Sequence, residues 1–408
     1  MGRSNAMWSF KIAFKNLIGA GRRTWLNVAV LSIAFVVIVF FNGLLDGWNI
    51  QARTDTTAWE TGYGRMTHPL YDPYDPYTLA DAHGLSGSLF ASEIQTGNAV
   101  PVLITQASAY PNGRLINVML RGIDPRQNVL LLPSRLLDSL PPQAGEETIP
   151  AIIGHRMAGA CQLNEGDKMI VRWRDVNGTF DAREVFIAGI FRTTVPAVDA
   201  GQVWIPLEAL RNMTGLYGES TMLILGPGVT ESHSMPRPGT LLEGWRYEDR
   251  EMLLQEIEDV IKAKRSSSVV ISILLLGIAL LAIFDTQVLS VFRRQKEIGT
   301  YIALGMTRLK VMFIFTIEGT MHSLLAIALG CVWGIPLLKW VQHTGIPMPQ
   351  MTDQAGLAVS DKIIPMYSMG LILTSVFLVV ISSLVVSYLP ARKIAKMRPT
   401  EALKGKLI

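Results

Sequence analysis

Three ionisable residues stand where an apolar chain has least use for them: Asp285, Glu318 and His322 each lie inside a long apolar run. Charge in hydrocarbon is costly and rare, so such residues mark a candidate functional site. Glu318 and His322 are four residues apart and share one face of a helix. Such a pair could pass a proton or hold a metal if further ligands joined it. None does. The sequence has no H-E-x-x-H, and neither Cys161 nor Cys331 has the spacing or neighbours of a metal ligand. Neither a metal nor a nucleophile–base constellation is therefore expected, and no catalytic residue is assigned. Pairing with basic neighbours is the expected role, Asp285 with the arginines about two turns on and Glu318 with Arg308 and Lys310.

A second candidate is Arg293-Arg294-Gln295-Lys296-Glu297-Ile298-Gly299 with the Ala303-Leu304-Gly305-Met306-Thr307-Arg308 that follows. The stretch is too short for a domain and too rich in mixed charge and glycine to face lipid. Its glycines allow a tight bend or the close approach of another backbone. Composition leaves two readings open, a short helix that docks into a partner and an ordinary charged loop that sets topology. A third stretch, Tyr71–Gly84, carries Asp72, Asp75, Asp81 and His83; a metal or partner-contacting site is one reading, and Pro73 and Pro76 make a surface turn the expectation there. Trp48, Trp59, Trp173, Trp204 and Trp245 are expected in the core, at a membrane interface or on a partner surface rather than around a cofactor.

The elements that must position these residues follow from hydropathy. Of the 408 residues, 49% are hydrophobic and 17% charged, and the mean hydropathy is +0.31. A soluble chain carries roughly 25% charged residues. Four apolar segments, about Trp25–Leu45, Val269–Phe292, Val311–Leu338 and Met366–Tyr388, are each long enough to cross a bilayer. In lipid a span must satisfy its own backbone, which makes each a helix. The expected spans are 24–46, 266–292, 311–339 and 364–389. The first is too long for a signal peptide and no small-residue cleavage site follows it.

Basic residues orient the spans. Lys11, Lys15, Arg22 and Arg23 precede the first, Arg293, Arg294, Lys296, Arg308 and Lys310 lie between the second and third, and Arg392, Lys393, Lys396, Arg398, Lys404 and Lys406 follow the fourth. The net charge of +4 thus reflects membrane topology and not a nucleic-acid face. Both termini and the 293–310 loop are expected in the cytoplasm, with 47–265 and the short loop 340–363 outside. Residues 7–23 are expected to form an amphipathic helix in the interface, with Phe10, Phe14, Leu17 and Ile18 on one side.

The outer segment reads as an α+β domain. β-like runs at Val102–Thr105, Leu115–Leu120, Met169–Trp173 and Glu184–Phe191 alternate with turns at Asn112-Gly113 and Asn177-Gly178. The second turn predicts a hairpin within Met169–Phe191. Helices are predicted at Pro206–Thr214 and Arg250–Lys264, the latter leading straight into the second span and stiff enough to carry motion.

The run RRQKEIGTYIALGMTRLKV resembles the coupling loop of the FtsX/MacB/LolC-LolE permease superfamily, R-R-x-x-E-I-G-x-x-x-A-L-G. The run YLPARKIAKMRPTEALKG at Tyr388–Gly405, which takes in most of the tail 390–408, resembles the same family's closing signature, matched at Pro390, Ala391, Ala395, Pro399, Glu401, Ala402 and Leu403. R-G-I-D-P at Arg121–Pro125, I-I-G-H-R-M-A at Ile152–Ala158, L-N-E-G-D-K at Leu163–Lys168 and F-I-A-G-I-F at Phe186–Phe191 look like its MacB-type periplasmic core. The resemblance runs the length of the chain in the right order.

It implies a four-span permease of the bacterial inner membrane with a MacB-like periplasmic core domain between the first two helices. Two permeases, identical or homologous, would bind a dimer of ABC ATPases that supplies ATP and Mg, and would transmit its motion to work in the periplasm. Arg293, Arg294 and Glu297 would dock the ATPase, with Ile298, Ala303 and Leu304 as apolar contacts and Gly299 and Gly305 shaping the loop. The 408 residues hold no G-x-x-x-x-G-K-[ST], so the ATPase is expected on a separate polypeptide and no cofactor on this chain. Within the family the lipoprotein-releasing type fits best, handing lipidated protein to a periplasmic carrier. Its lipid tails would contact Phe40, Phe41, Leu44 and Ile271. The alternatives are MacB-like efflux with an adaptor and an outer-membrane channel, and FtsX-like activation of a cell-wall hydrolase.

Overall fold

The computed structural model describes residues 22–85, 90–138, 148–232, 235–347 and 362–395. The expected interfacial helix and all but the first turns of the closing tail fall outside these residues, as does most of the short loop between the last two spans. The chain divides into two units: a helical one of Met1–Trp48, Ile261–Ile346 and Ile364–Ile408, and a strand-rich one of Asn49–Val260 and Pro347–Ile363.

Among the described residues four helices are long and apolar enough to cross a membrane. They are α1 (Arg22–Thr56), α2 (Gln255–Arg293), α4 (Arg308–Thr344) and α5 (Met369–Ala395), with the short α3 (Gln295–Ala303) between α2 and α4. The first two overrun the expected spans 24–46 and 266–292. Hydropathy marks where lipid would end, and a helix whose backbone bonds are already paired can continue through polar residues such as Asp46–Thr56. The predicted helix at Arg250–Lys264 is broken once. A single turn at Arg250–Leu253 is capped by Asp249, whose Oδ1 accepts the Met252 N–H at 2.8 Å, and α2 begins after Leu254.

Small and polar side chains join the helices where a hydrophobic driving force is absent. Asn27 of α1 donates to the Ala282 carbonyl of α2 at 3.2 Å and Trp333 of α4 donates to Ser32 of α1 at 2.8 Å. Gly319 of α4 lies so close to α5 that a Cβ there would fall 2.1 Å from Ser387 Oγ.

The strand-rich unit is built on β1 (Gly64–Thr67), β2 (Ala99–Tyr110), β3 (Ile116–Ile123), β4 (Ile149–Gly154), β5 (Lys168–Arg174), β6 (Phe180–Phe191), β7 (Gln202–Pro206), β8 (Met222–Leu225), β9 (Leu241–Leu242) and β10 (Trp245–Asp249). The order β9-β10-β1-β8-β2-β3-β7-β4-β6-β5 closes on itself through a β2–β5 pairing. Six strands thus form a mixed barrel and four extend from it as a wing. One edge of β2 serves both, pairing with β8 at Ala99–Val102 and with β5 at Ala107–Tyr110. The alternation of β5, with Met169, Val171 and Trp173 buried between exposed residues, fills the barrel. Trp173 donates its indole N–H to the Met213 carbonyl at 2.7 Å. β5 and β6 make the predicted hairpin, closed by Asp175, whose Oδ1 accepts the Thr179 N–H at 2.6 Å.

Candidate functional site

The chain turns twice between α2 and α4. Arg294 stands at the entry to α3, and Gly305 ends it with φ +91°. The Gly305 N–H bonds the Ile302 carbonyl and the Met306 N–H bonds the Tyr301 carbonyl, both at 3.0 Å. These two bonds close a Schellman turn, whose left-handed residue favours glycine. The turn sends the chain back, so that Ile298 packs with Val291, Val311, Phe315 and Ala391 in one buried cluster. Ala391 belongs to the closing signature read from the sequence.

The expected docking residues divide between the two faces of α3. Glu297, Ala303 and Leu304 are exposed on one side, with Leu304 at 80%, and Lys296 and Thr300 are exposed beside them. Ile298 and Gly299 are buried on the other. Ile298, expected as an apolar contact to a partner, is 1% exposed and belongs to the chain's own core. Leu309, just past the turn, is 73% exposed. Arg293 is exposed and Arg294 half-buried.

Arg294 ties the two faces together. Its Nε donates to Glu297 at 2.8 Å and its Nη1 donates to Glu318 of α4 at 2.9 and 3.3 Å. The guanidinium lies over the Phe315 ring, 5.1 Å from its centroid. Glu318 is 7% exposed, so its charge is compensated by one arginine at close range.

Two expected pairings are corrected. Glu318 bonds Arg294, not Arg308 or Lys310, which lie eight to ten residues earlier on the same helix. Eight residues of helix span about 12 Å, beyond the reach of a direct pair. The same spacing separates Asp285 from Arg293. Asp285 is exposed on α2 and has no hydrogen-bond or ion-pair partner among the described residues. His322 is 3% exposed, and its Nδ1 lies 3.1 Å from the Glu318 backbone carbonyl, not from the Glu318 side chain. Phe315 and Gly319 were missed by sequence reasoning; Phe315 stands three residues before Glu318, the spacing at which helical side chains meet.

The other candidates lie apart from this site in the sequence. Phe40 and Phe41 are half-buried and edge-to-face at 5.5 Å, Leu44 is half-buried, and Ile271 is 42% exposed. In Tyr71–Gly84, Asp72 accepts the Tyr74 N–H and Asp75 caps a short 3-10 turn at Pro76–Ala80. His83 pairs with Glu219 and Tyr74 donates its hydroxyl to Glu256 at 2.9 Å. Among the described residues no three His, Cys, Asp or Glu side chains converge as a metal site. Trp173, Trp204 and Trp245 are buried, and Trp59 stacks on Phe191.

Residues 269–399, which hold α3 and both carboxylates, match the family described as FtsX-like permease C-terminal. The chain belongs with the FtsX, MacB and LolC permeases. The lipoprotein-releasing system transmembrane protein LolC of Neisseria meningitidis is 23% identical over 75% of this permease and 77% of its own length. LolC of Xylella fastidiosa is 22% identical over 70% and 72%. The macrolide export ATP-binding/permease protein MacB of Haemophilus ducreyi is 31% identical over 97% of this permease but only 56% of its own length. Among solved structures, the extracellular domain of the noncanonic ABC-type transporter YknZ from Gram-positive bacteria is 14% identical, covers 41% of this chain and 85% of its own, and has a TM-score of 0.24. That likeness carries no fold argument. Permeases of this family work with ABC ATPases.

Proposed function

We propose that this permease takes its ATPase on the exposed face of α3 and passes the ATPase's motion to α4 through Arg294. The observation that carries the reading is the Glu297–Arg294–Glu318 bridge, which joins an exposed carboxylate on the docking face to a buried one in a span. Basic residues around α3 orient this end to the cytoplasm, which sets both termini inside and the strand-rich unit in the periplasm. α2, unbroken for 39 residues, gives the motion a stiff element to follow.

The cargo we infer is lipidated protein, extracted from the inner membrane and handed to a periplasmic carrier, with lipid tails against Phe40, Phe41, Leu44 and Ile271. Two LolC relatives aligned over more than two thirds of both chains support this. The MacB relative, aligned over nearly the whole chain, favours a second reading: export with an adaptor. Affinity purification from native membranes in mild detergent, with mass spectrometry, separates them. An ABC ATPase with lipoproteins and a second permease is the expected result, an adaptor moves the function to export, and no ATPase even after crosslinking overturns the proposal.

A further inference from the structure

α4 and α5 pack antiparallel: Gly319 meets Ser387, while Ala391 shares a cluster with Val311 and Phe315. Beside this contact a groove of about 560 Å³ runs along the surface of both helices. Two side-chain rows run along it: Phe313, Ile317, Leu384 and Tyr388 line it, and Lys310 and Arg392 continue the rows by one helical step beyond the lining. On α4, Lys310, Phe313 and Ile317 follow one another at i, i+3 and i+7; on α5, Leu384, Tyr388 and Arg392 follow at i, i+4 and i+8. Because the helices are antiparallel, both rows end in a cation at the same end of the groove. Lys310 and Arg392 are exposed, and neither has an ion-pair partner among the described residues. The groove wall is apolar apart from the hydroxyls of Thr316, Thr320 and Tyr388. Thr316 is 9% exposed, and its Oγ1 has no hydrogen-bond partner among the described residues.

An apolar trough with two exposed cations beyond one end is amphipathic in the sense of a phospholipid. We infer that the groove holds an acyl chain of an anionic phospholipid whose phosphate lies between Lys310 and Arg392. Basic pockets between spans on the cytoplasmic side take anionic headgroups in this way. A zwitterionic lipid would fill the trough equally but bring an ammonium against the two cations, so preference for net negative charge is the signature. A second copy of the chain would bury the trough but gives the cations no acidic partner that the exposed rows supply. The inference rests on the reading of α4 and α5 as membrane spans and is independent of the ATPase and of the cargo.

The test is binding of dioleoyl phosphatidylglycerol and dioleoyl phosphatidylcholine to the delipidated full chain, read by native mass spectrometry. Phosphatidylglycerol is expected to bind about tenfold more tightly, as befits roughly 1.4 kcal/mol from two partly exposed contacts. In the double variant Lys310→Gln, Arg392→Gln, both on the surface, the two lipids are expected to bind alike, while Thr320→Trp, which fills the trough, lowers binding of both. Equal affinities in the unaltered chain, or a preference that survives the double variant, overturns the proposal. So does displacement of the lipid by inorganic phosphate alone, which would make the site a simple anion site. A disulfide between two copies carrying Phe313→Cys would overturn it in favour of a second copy. Labelling of Lys310→Cys from the cytoplasmic side checks orientation separately, so a failure of the topology is not read as a failure of lipid binding.

Discussion

Asp199 and Glu318 are both buried carboxylates held by one arginine, Arg156 at 2.7 Å and Arg294 at 2.9 Å, but the arginines differ in what else they hold. Arg156 donates also to the Thr193 carbonyl at 3.0 Å, and Asp199 packs against Gly154, where a Cβ would stand 2.2 Å from Oδ1. Burial pushes the Asp199 carboxyl up, with Arg156 pulling the other way. Thr193, Asp199 and Gly154 all belong to the strand-rich unit. Arg294 by contrast reaches Glu297, whose side chain is 55% exposed. One pair closes a fold and the other has a handle on the surface.

Breaking the closed pair is expected to have the largest effect on stability. Asp199→Ala removes the buried carboxylate that the half-buried Arg156 bonds and should cost about 3 kcal/mol, seen as a lowered denaturation midpoint followed by the fluorescence of Trp173 and Trp204. The open pair should answer differently. Glu318→Gln keeps the shape of the side chain and should leave ATPase association intact while lowering ATP-driven transport roughly tenfold, about 1–2 kcal/mol of coupling. A transport rate unchanged in Glu318→Gln would leave Arg294 a structural residue like Arg156.

Glu297→Ala sharpens the contrast from the surface side. It should change stability by less than about 0.5 kcal/mol yet weaken recovery of the ATPase, whereas a parallel loss of stability would make Glu297 part of the core. The smallest expected effect is one of pH. Burial, reinforced by His83 nearby, lowers the His68 pKa below its ordinary 6.5. The fold therefore favours neutral His68, so that its contribution is present above about pH 6.5 and is lost as pH falls through the lower folded value. His68→Gln should flatten that part of the stability profile. An unchanged acid limb would assign it to other groups.

Much of this was legible in advance because periodicity survives in the sequence. Apolar runs marked the four spans, and the Asn177-Gly178 turn marked the β5–β6 hairpin. What the sequence hid was set by approach in space. Ile298 looks like any apolar contact in a docking loop until the turn at Gly305 folds it inward. Arg294 and Glu318 are 24 residues apart and meet only because that turn reverses the chain. Barrel closure through β2 and β5 was equally hidden, since no local signal says that one strand edge will serve two partners.

The central claim is that the exposed face of α3 receives the ATPase. A photo-crosslinking residue placed at Leu304, and in a second variant at Ile298, tests it in native membranes. Crosslinks to an ABC ATPase from position 304 and none from position 298 are the predicted result. An ATPase captured equally from both positions, or from neither, would contradict the division of α3 into a docking face and a core face.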